Sequence, residues 1–130
     1  MDLASIRDWL SSLNAIDATW TIGRIEESKE RRAGVYQRQD YGPATVALGG
    51  GEPTKTHVKH VSVLVHWNKN HRETEEAAQA LYDALKLNPP APMGIKYVNL
   101  LMPEPADVGS SENGIFERVV WFDLHYEEEV

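Results

Sequence analysis

Five histidines, His57, His60, His66, His71 and His125, are the side chains best suited to binding a metal or moving a proton. In an extended segment, side chains three apart point to opposite faces, so His57 and His60 are not expected to chelate together. No HExxH or comparable spacing is present, and the histidines read as surface or partly buried residues with no metal expected. The stretch GGGEPTKT at residues 49–56 has the outline of a phosphate-binding loop. It lacks the chemistry. Thr54 stands where the glycine before the lysine belongs, Pro53 removes a backbone donor, and a strand pattern rather than a helix follows Thr56. Gly49, Gly50 and Gly51 read instead as an exposed loop tip and a candidate contact with a partner. A nucleophile is equally hard to place. There is no cysteine and no GxSxG elbow, and Ser110 and Ser111 precede Asn113 and Gly114, the commonest hairpin turn pair. The carboxylates gather at helix starts and at the C-terminus, where solvent rather than a cleft is expected. These residues point to no enzyme and no cofactor.

The elements that must position these side chains belong to a chain of 130 residues, 42% apolar and 25% charged, which fits one domain spanning residues 1–130. A chain of this length buries roughly two thirds of its unfolded surface, enough for a core without staples. No apolar run approaches the ~18 residues of a membrane span. Asp2 and Asp8 stand where a signal peptide would carry positive charge, so a soluble protein of the cytosol is expected. The net charge of −7 has the wrong sign for gripping phosphate backbones, and tight nucleic-acid binding is not expected. The acidic excess sits in the second half, at Glu73, Glu75 and Glu76, at Glu104, Asp107 and Glu112, and at Glu127, Glu128 and Glu129. It reads as solvated faces and a favourable helix start, or else as a patch that repels DNA or recruits a basic partner.

Asp2 is placed to cap a first helix whose apolar residues Leu3, Ile6, Trp9, Leu10 and Leu13 recur at helical spacing, with Asn14 as its stop. TWTIGRI at 19–25 and GVYQRQ at 34–39 flank a charged turn and predict a hairpin. A proline- and glycine-rich stretch follows, interrupted by a short apolar piece from Thr45 to Leu48. Residues 58–67 alternate, with Val61, Val63, Val65 and Trp67 on one face and Ser62, Leu64 and His66 on the other. Asn70 and Glu73 form a capping-box pattern for a second helix with a buried stripe of Thr74, Ala77, Ala78, Leu81 and Leu85, ended by Asn88, Pro89 and Pro90. Residues 95–102 and 115–126 are two further strands, the second apolar on both faces and therefore central or covered by a neighbour. The order αββ(β)βαββ describes a single α+β domain with a mixed, largely antiparallel sheet flanked by two helices. All four tryptophans sit in apolar-periodic segments and are most simply core, with Trp20 and Trp67 near strand ends and partly exposed.

Several long pieces carry a resemblance: TIGRIEESKE, GVYQR at 34–38, ALGG at 47–50, VSVLVHWNKNHRETEEAAQALYDAL at 61–85, and VNLLMPEPADVGSSENGIFERVVWFDLHYE at 98–127. Together they resemble the minor capsid proteins of tailed bacteriophages. In size and element order the chain is similar to tail-terminator and tail-completion proteins, which form rings at the head-proximal end of the tail. The resemblance implies a non-enzymatic virion component at the head–tail junction, made in the host cytoplasm. Its expected partners are further copies of itself in a ring of six, the tail tube protein and the head connector. A head-closure protein is the alternative within that class, and a small ligand- or RNA-binding module is the alternative outside it. The family supplies no residue-level active site. Two segments are long for a compact domain, whose loops are usually ~4–6 residues, and are the expected contact sites. One runs from Asp40 to Thr56. The other, residues 103–114, is expected to protrude between the last two strands as a docking loop stiffened by Pro103 and Pro105, with Glu104 and Asp107 on it.

Overall fold

The computed structural model describes residues 1–39, 56–87 and 94–127. Gly49, Gly50, Gly51, the piece from Thr45 to Leu48, the Asn88-Pro89-Pro90 stop and Glu128 and Glu129 lie outside the described residues.

Helix α1 (Leu3–Ser12) begins where the Asp2 carboxylate accepts the Ser5 amide at 2.8 Å, a bond that also lowers the pKa of that carboxyl. Its spacing of apolar residues buries Ile6, Trp9 and Leu10. Asn14, at φ 51°, turns the chain out of the helix just past the Leu13 cap. Helix α2 (His71–Lys86) starts under Asn70, whose side chain accepts the Glu73 amide at 3.1 Å. The box is completed by a third residue. Asn68 accepts the Asn70 amide and donates to the Glu73 carboxylate, so Glu73 does not reach back itself. The expected stripe is buried, together with Tyr82.

Strands β1 (Thr19–Ile22), β2 (Arg32–Gln37), β3 (Thr56–His66), β4 (Ile95–Leu100), β5 (Ala106–Ser110) and β6 (Phe116–Glu127) form one six-stranded sheet, mostly antiparallel and not closed into a barrel. The order is β1-β2-β3-β6-β4, with β5 also on β6. The helices lie on one face. α1 covers β1 and β2, and α2 covers β6, β3 and β4. Register puts Ala33 and Val35 beside Val65 and Val63, and Val63 and Val61 beside Val120 and Phe122, so one apolar face runs continuously beneath both helices. Burying a side chain such as Phe122 completely is worth about 1.5–3 kcal/mol. β6 is the central strand its two apolar faces predicted. No helix among the described residues is long and apolar enough to cross a membrane.

Three expectations need correction. β1 and β2 are parallel, with Thr19 opposite Arg32 and Ile22 opposite Val35, and so are not a hairpin. Between them residues 23–31 return as a strap across the far face of the sheet, turned at Gly23 (φ 67°) and Arg31 (φ 56°). Gly34 makes this possible, because a Cβ there would stand 2.9 Å from both the Gly23 carbonyl oxygen and the Ile25 side chain. The second correction concerns residues 103–114, which are not a protruding loop. Residues 106–110 pair with β6 as β5, and Pro105 is buried. Only a short link from β4, including exposed Pro103 and Glu104, stands out. A three-residue turn then closes the β5–β6 hairpin, with Gly114 at φ 76° donating to the Ser111 carbonyl. Third, Trp20 is partly exposed as expected, but Trp67 is buried and the most exposed tryptophan is Trp121, at 43%.

Candidate functional site

Among the described residues, the face of the sheet opposite the helices is only partly covered. Alternation along β3, β6 and β4 sends Val58, His60, Ser62 and Leu64, then Val119, Trp121, Asp123 and His125, then Tyr97, Asn99 and Leu101 to this side. Of the seven large apolar side chains exposed among the described residues, Val58, Tyr97, Leu101 and Trp121 all stand here. They are neighbours rather than scattered residues. Tyr97 and His125 stack with ring centroids 4.2 Å apart, Val58 pairs with His125, and Leu101 bonds to the Trp121 backbone. Val58 and Tyr97 thus stand at one end of this face and Trp121 and Leu101 at the other, with the polar row His60, Asp123 and Asn99 between them.

At its centre is a polar knot. Arg38 binds Asp123 and the Val61 carbonyl, His60 Nδ1 lies 2.7 Å from the same Asp123 oxygen, and the guanidinium sits 5.7 Å from the Trp121 ring centre. Both members of the Arg38–Asp123 pair are largely buried, so the charges are matched inside the chain. Trp, Tyr and Arg around a desolvated centre is the composition of an interface hot spot.

The strap closes one end of this face. His66 is wholly buried, contrary to the surface or partly buried position expected for the histidines, because the strap folds over it. Its Nδ1 meets the Glu117 carboxylate at 2.9 Å and its Nε2 meets the Glu27 carbonyl at 3.0 Å. Burial and the nearby Glu117 and Glu27 carboxylates push the Tyr36 phenol above its ordinary range. The other histidines stay at or near the surface. His57, on the opposite side of β3 from His60, stacks on Tyr126 at 5.4 Å. Among the described residues no three His, Asp or Glu side chains are grouped as a metal requires.

Of the expected contact residues, Pro103 and Glu104 are exposed on the β4–β5 link, Pro105 is buried, and Asp107 faces the other layer. Asp107 accepts the Gly109 amide at 2.9 Å and lies 3.4 Å from His71 Nε2 at the start of α2, with Arg118 at 3.8 Å. These contacts hold its carboxyl below the ordinary value, the Gly109 amide most of all. Asp107 thereby ties β5 to the start of α2 while its side chain stays about half exposed. The bulge between Asp107 and Gly109 leaves Val108 exposed beside it. On the helix side, a groove of ≈ 350 Å³ runs between the α1–β1 connection and α2, lined by Ile16, Trp67, Ala77 and Ala80 and rimmed by Asp17, Glu73 and Glu76 with Arg31. The open face and this groove were both missed in the sequence. A signal for the first existed in Trp121, Asp123 and His125 sharing one side of β6. No family model matches the chain, and no curated protein does.

Proposed function

We propose that this protein is a structural subunit of a ring at the head–tail junction of a tailed bacteriophage, a tail terminator of about six copies, working by surface contact rather than chemistry. The reading begins in the resemblance carried by residues 61–85 and 98–127. The observation that supports it best is the open sheet face, where Trp121, Tyr97, Leu101 and Val58 are left uncovered around charges that are already paired. A two-layer domain gains stability by covering such a face with protein. A head-closure subunit would use the same surface and differs only in its partner.

A second reading has one observation in its favour. Exposed aromatics beside an arginine on a sheet are also how single-stranded RNA is stacked and held. Against it, Arg38 is committed to Asp123 and the chain carries −7. The test is joining: heads and tails from a phage lacking the homologous gene are mixed with purified protein, and joined particles are counted. Joined particles are expected; separate heads and tails, with tight salt-sensitive binding of single-stranded RNA in an anisotropy titration, would replace this reading with the second.

A further inference from the structure

His66 is wholly buried, and both of its ring nitrogens meet groups that accept. Nε2 lies 3.0 Å from the Glu27 carbonyl oxygen, in the middle of the strap, and Nδ1 lies 2.9 Å from the Glu117 carboxylate on β6. A carbonyl cannot donate, so Nε2 carries a hydrogen. An ionised carboxylate cannot donate either, so Nδ1 carries one as well and the ring is an imidazolium; a protonated carboxyl would instead hold that hydrogen and give it to Nδ1. Either way the site holds one proton more than a neutral imidazole beside a carboxylate, and the ordinary order of basicity places it on the ring. Once that proton is gone, one of the two contacts sets lone pair against lone pair.

We propose that this proton is a latch on the strap: while it is held, His66 ties Glu27 down over the end of the open sheet face, and its loss as pH rises frees the middle of the strap. The latch is independent of the ring reading above. The backbone bonds that fasten the strap lie at its ends, from the Gly23 amide to the Val35 carbonyl and from the Arg31 amide to the Trp67 carbonyl. Residues 26–30 between them are exposed, and among the described residues only the His66 bond joins that stretch to the sheet. The charged and titratable groups around the ring come from three sides. Arg32 on β2 and Glu117 on β6 flank it in register, the strap brings the Glu27 carboxylate, and Tyr36 on β2 lies near both acids. Burial and those acids raise the Tyr36 phenol, so it stays uncharged while the latch opens. Neither nearby arginine replaces the proton. Arg32 Nε is buried with no hydrogen-bond partner, and Arg31 lies over the Trp67 ring, 5.7 Å from its centre.

Glu117→Gln separates a proton latch from a merely structural contact. Its amide can donate to an unprotonated Nδ1 while Nε2 keeps its hydrogen on the Glu27 carbonyl, so both contacts survive without the extra proton. Two measurements are made from about pH 5 to about pH 9, on either side of the ordinary histidine value. Nitrogen-15 NMR of the His66 ring, assigned by its absence in His66→Gln, reports which nitrogens carry hydrogen. Exchange of the Lys29 and Arg31 amides, with the intrinsic pH dependence divided out, reports the strap, and the Leu101 amide, bonded to Trp121 away from the strap, is the reference. In the wild type, both ring nitrogens are expected to carry hydrogen at the acidic end and one at the basic end. Strap protection should fall with that loss by about tenfold or more, as removal of one charge-assisted hydrogen bond gives, while Leu101 stays unchanged. Glu117→Gln, checked for folding by thermal melts, is expected to keep the strap protected across the whole range. Should it not fold, the wild-type profile alone decides. A wild-type ring with a single hydrogen throughout, strap protection that does not follow the proton, or a fall that Glu117→Gln retains would each overturn the latch.

Discussion

Gly34→Ala is the sharpest probe of how the strap builds the open face. The new methyl would meet the Gly23 carbonyl oxygen and Ile25 Cγ1, each at 2.9 Å, and Ile25 Cδ1 at 3.0 Å. The isoleucine can rotate, but the carbonyl belongs to the backbone and must move with the strap. Forcing one methyl into such a packed site costs about 1–3 kcal/mol. Replacing glycine by alanine also restricts the unfolded chain, which returns about 0.4–1 kcal/mol. The net expectation is a loss of about 1–2 kcal/mol, or a melting temperature lower by about 4–8 °C at roughly 4 °C per kcal/mol for a chain of this size. Gly23→Ala serves as the control. Nothing lies within 4 Å of its Cβ position, so its cost comes only from φ 67°. Ile25→Ala in the Gly34→Ala background should recover part of the loss, because it removes the side-chain half of the clash and leaves the carbonyl. Calorimetry of the wild type and these three variants measures this. A Gly34→Ala protein melting at or above wild type, as the entropy effect alone would give, refutes the close approach of strap and sheet and with it the parallel β1–β2 pairing.

Other outcomes follow from the same contacts. His66→Ala removes a fully buried ring and leaves the partly buried Glu117 carboxylate and Glu27 carbonyl without it, and should lower stability by about 1–3 kcal/mol in urea unfolding. Asn70→Ala removes the cap of α2 and should cost about 1 kcal/mol in the same assay. The lowered Asp107 carboxyl stabilises the fold above the ordinary carboxylate range, and that support disappears as pH falls through its depressed value. Protection factors of the β5 amides, with the intrinsic pH dependence of exchange divided out, should therefore fall on acidification, and Asp107→Asn should show the lower protection already at neutral pH with little further change. Duplex DNA should not bind at physiological salt, and a tight, salt-sensitive anisotropy titration would contradict the charge argument.

Local patterns in the sequence carried the helices and the central strands. Spacing of Ile6, Trp9 and Leu10 marked α1, alternation of Val61, Val63 and Val65 marked β3, and both faces of β6 marked its place in the middle. Partner choice between strands was not legible. β1 and β2 are close in sequence, and a hairpin is the shortest way to join them. The one local sign against it was Gly34, a glycine inside a strand pattern where another backbone approaches. β5 was hidden because Ala-Asp-Val-Gly-Ser has little strand propensity and is held there by pairing to β6 and by the Asp107 contacts. The exposed sheet face was not legible for a related reason. Length suggested that residues 103–114 were surplus to the fold, whereas exposure of Trp121 depends on which face the helices choose, and that is decided by packing across the whole sheet.

The central claim is that the sheet face carrying Trp121 is covered by protein in the assembled state. Hydroxyl-radical footprinting read by mass spectrometry at Trp121 and Tyr97, at concentrations below and above assembly, tests it most directly. Both residues are half exposed in the single chain and should oxidise readily when dilute. On assembly their labelling should fall several-fold while that of exposed Leu87, beyond the end of α2, stays unchanged. Equal labelling of Trp121 in the monomer and in the assembled protein would contradict the account.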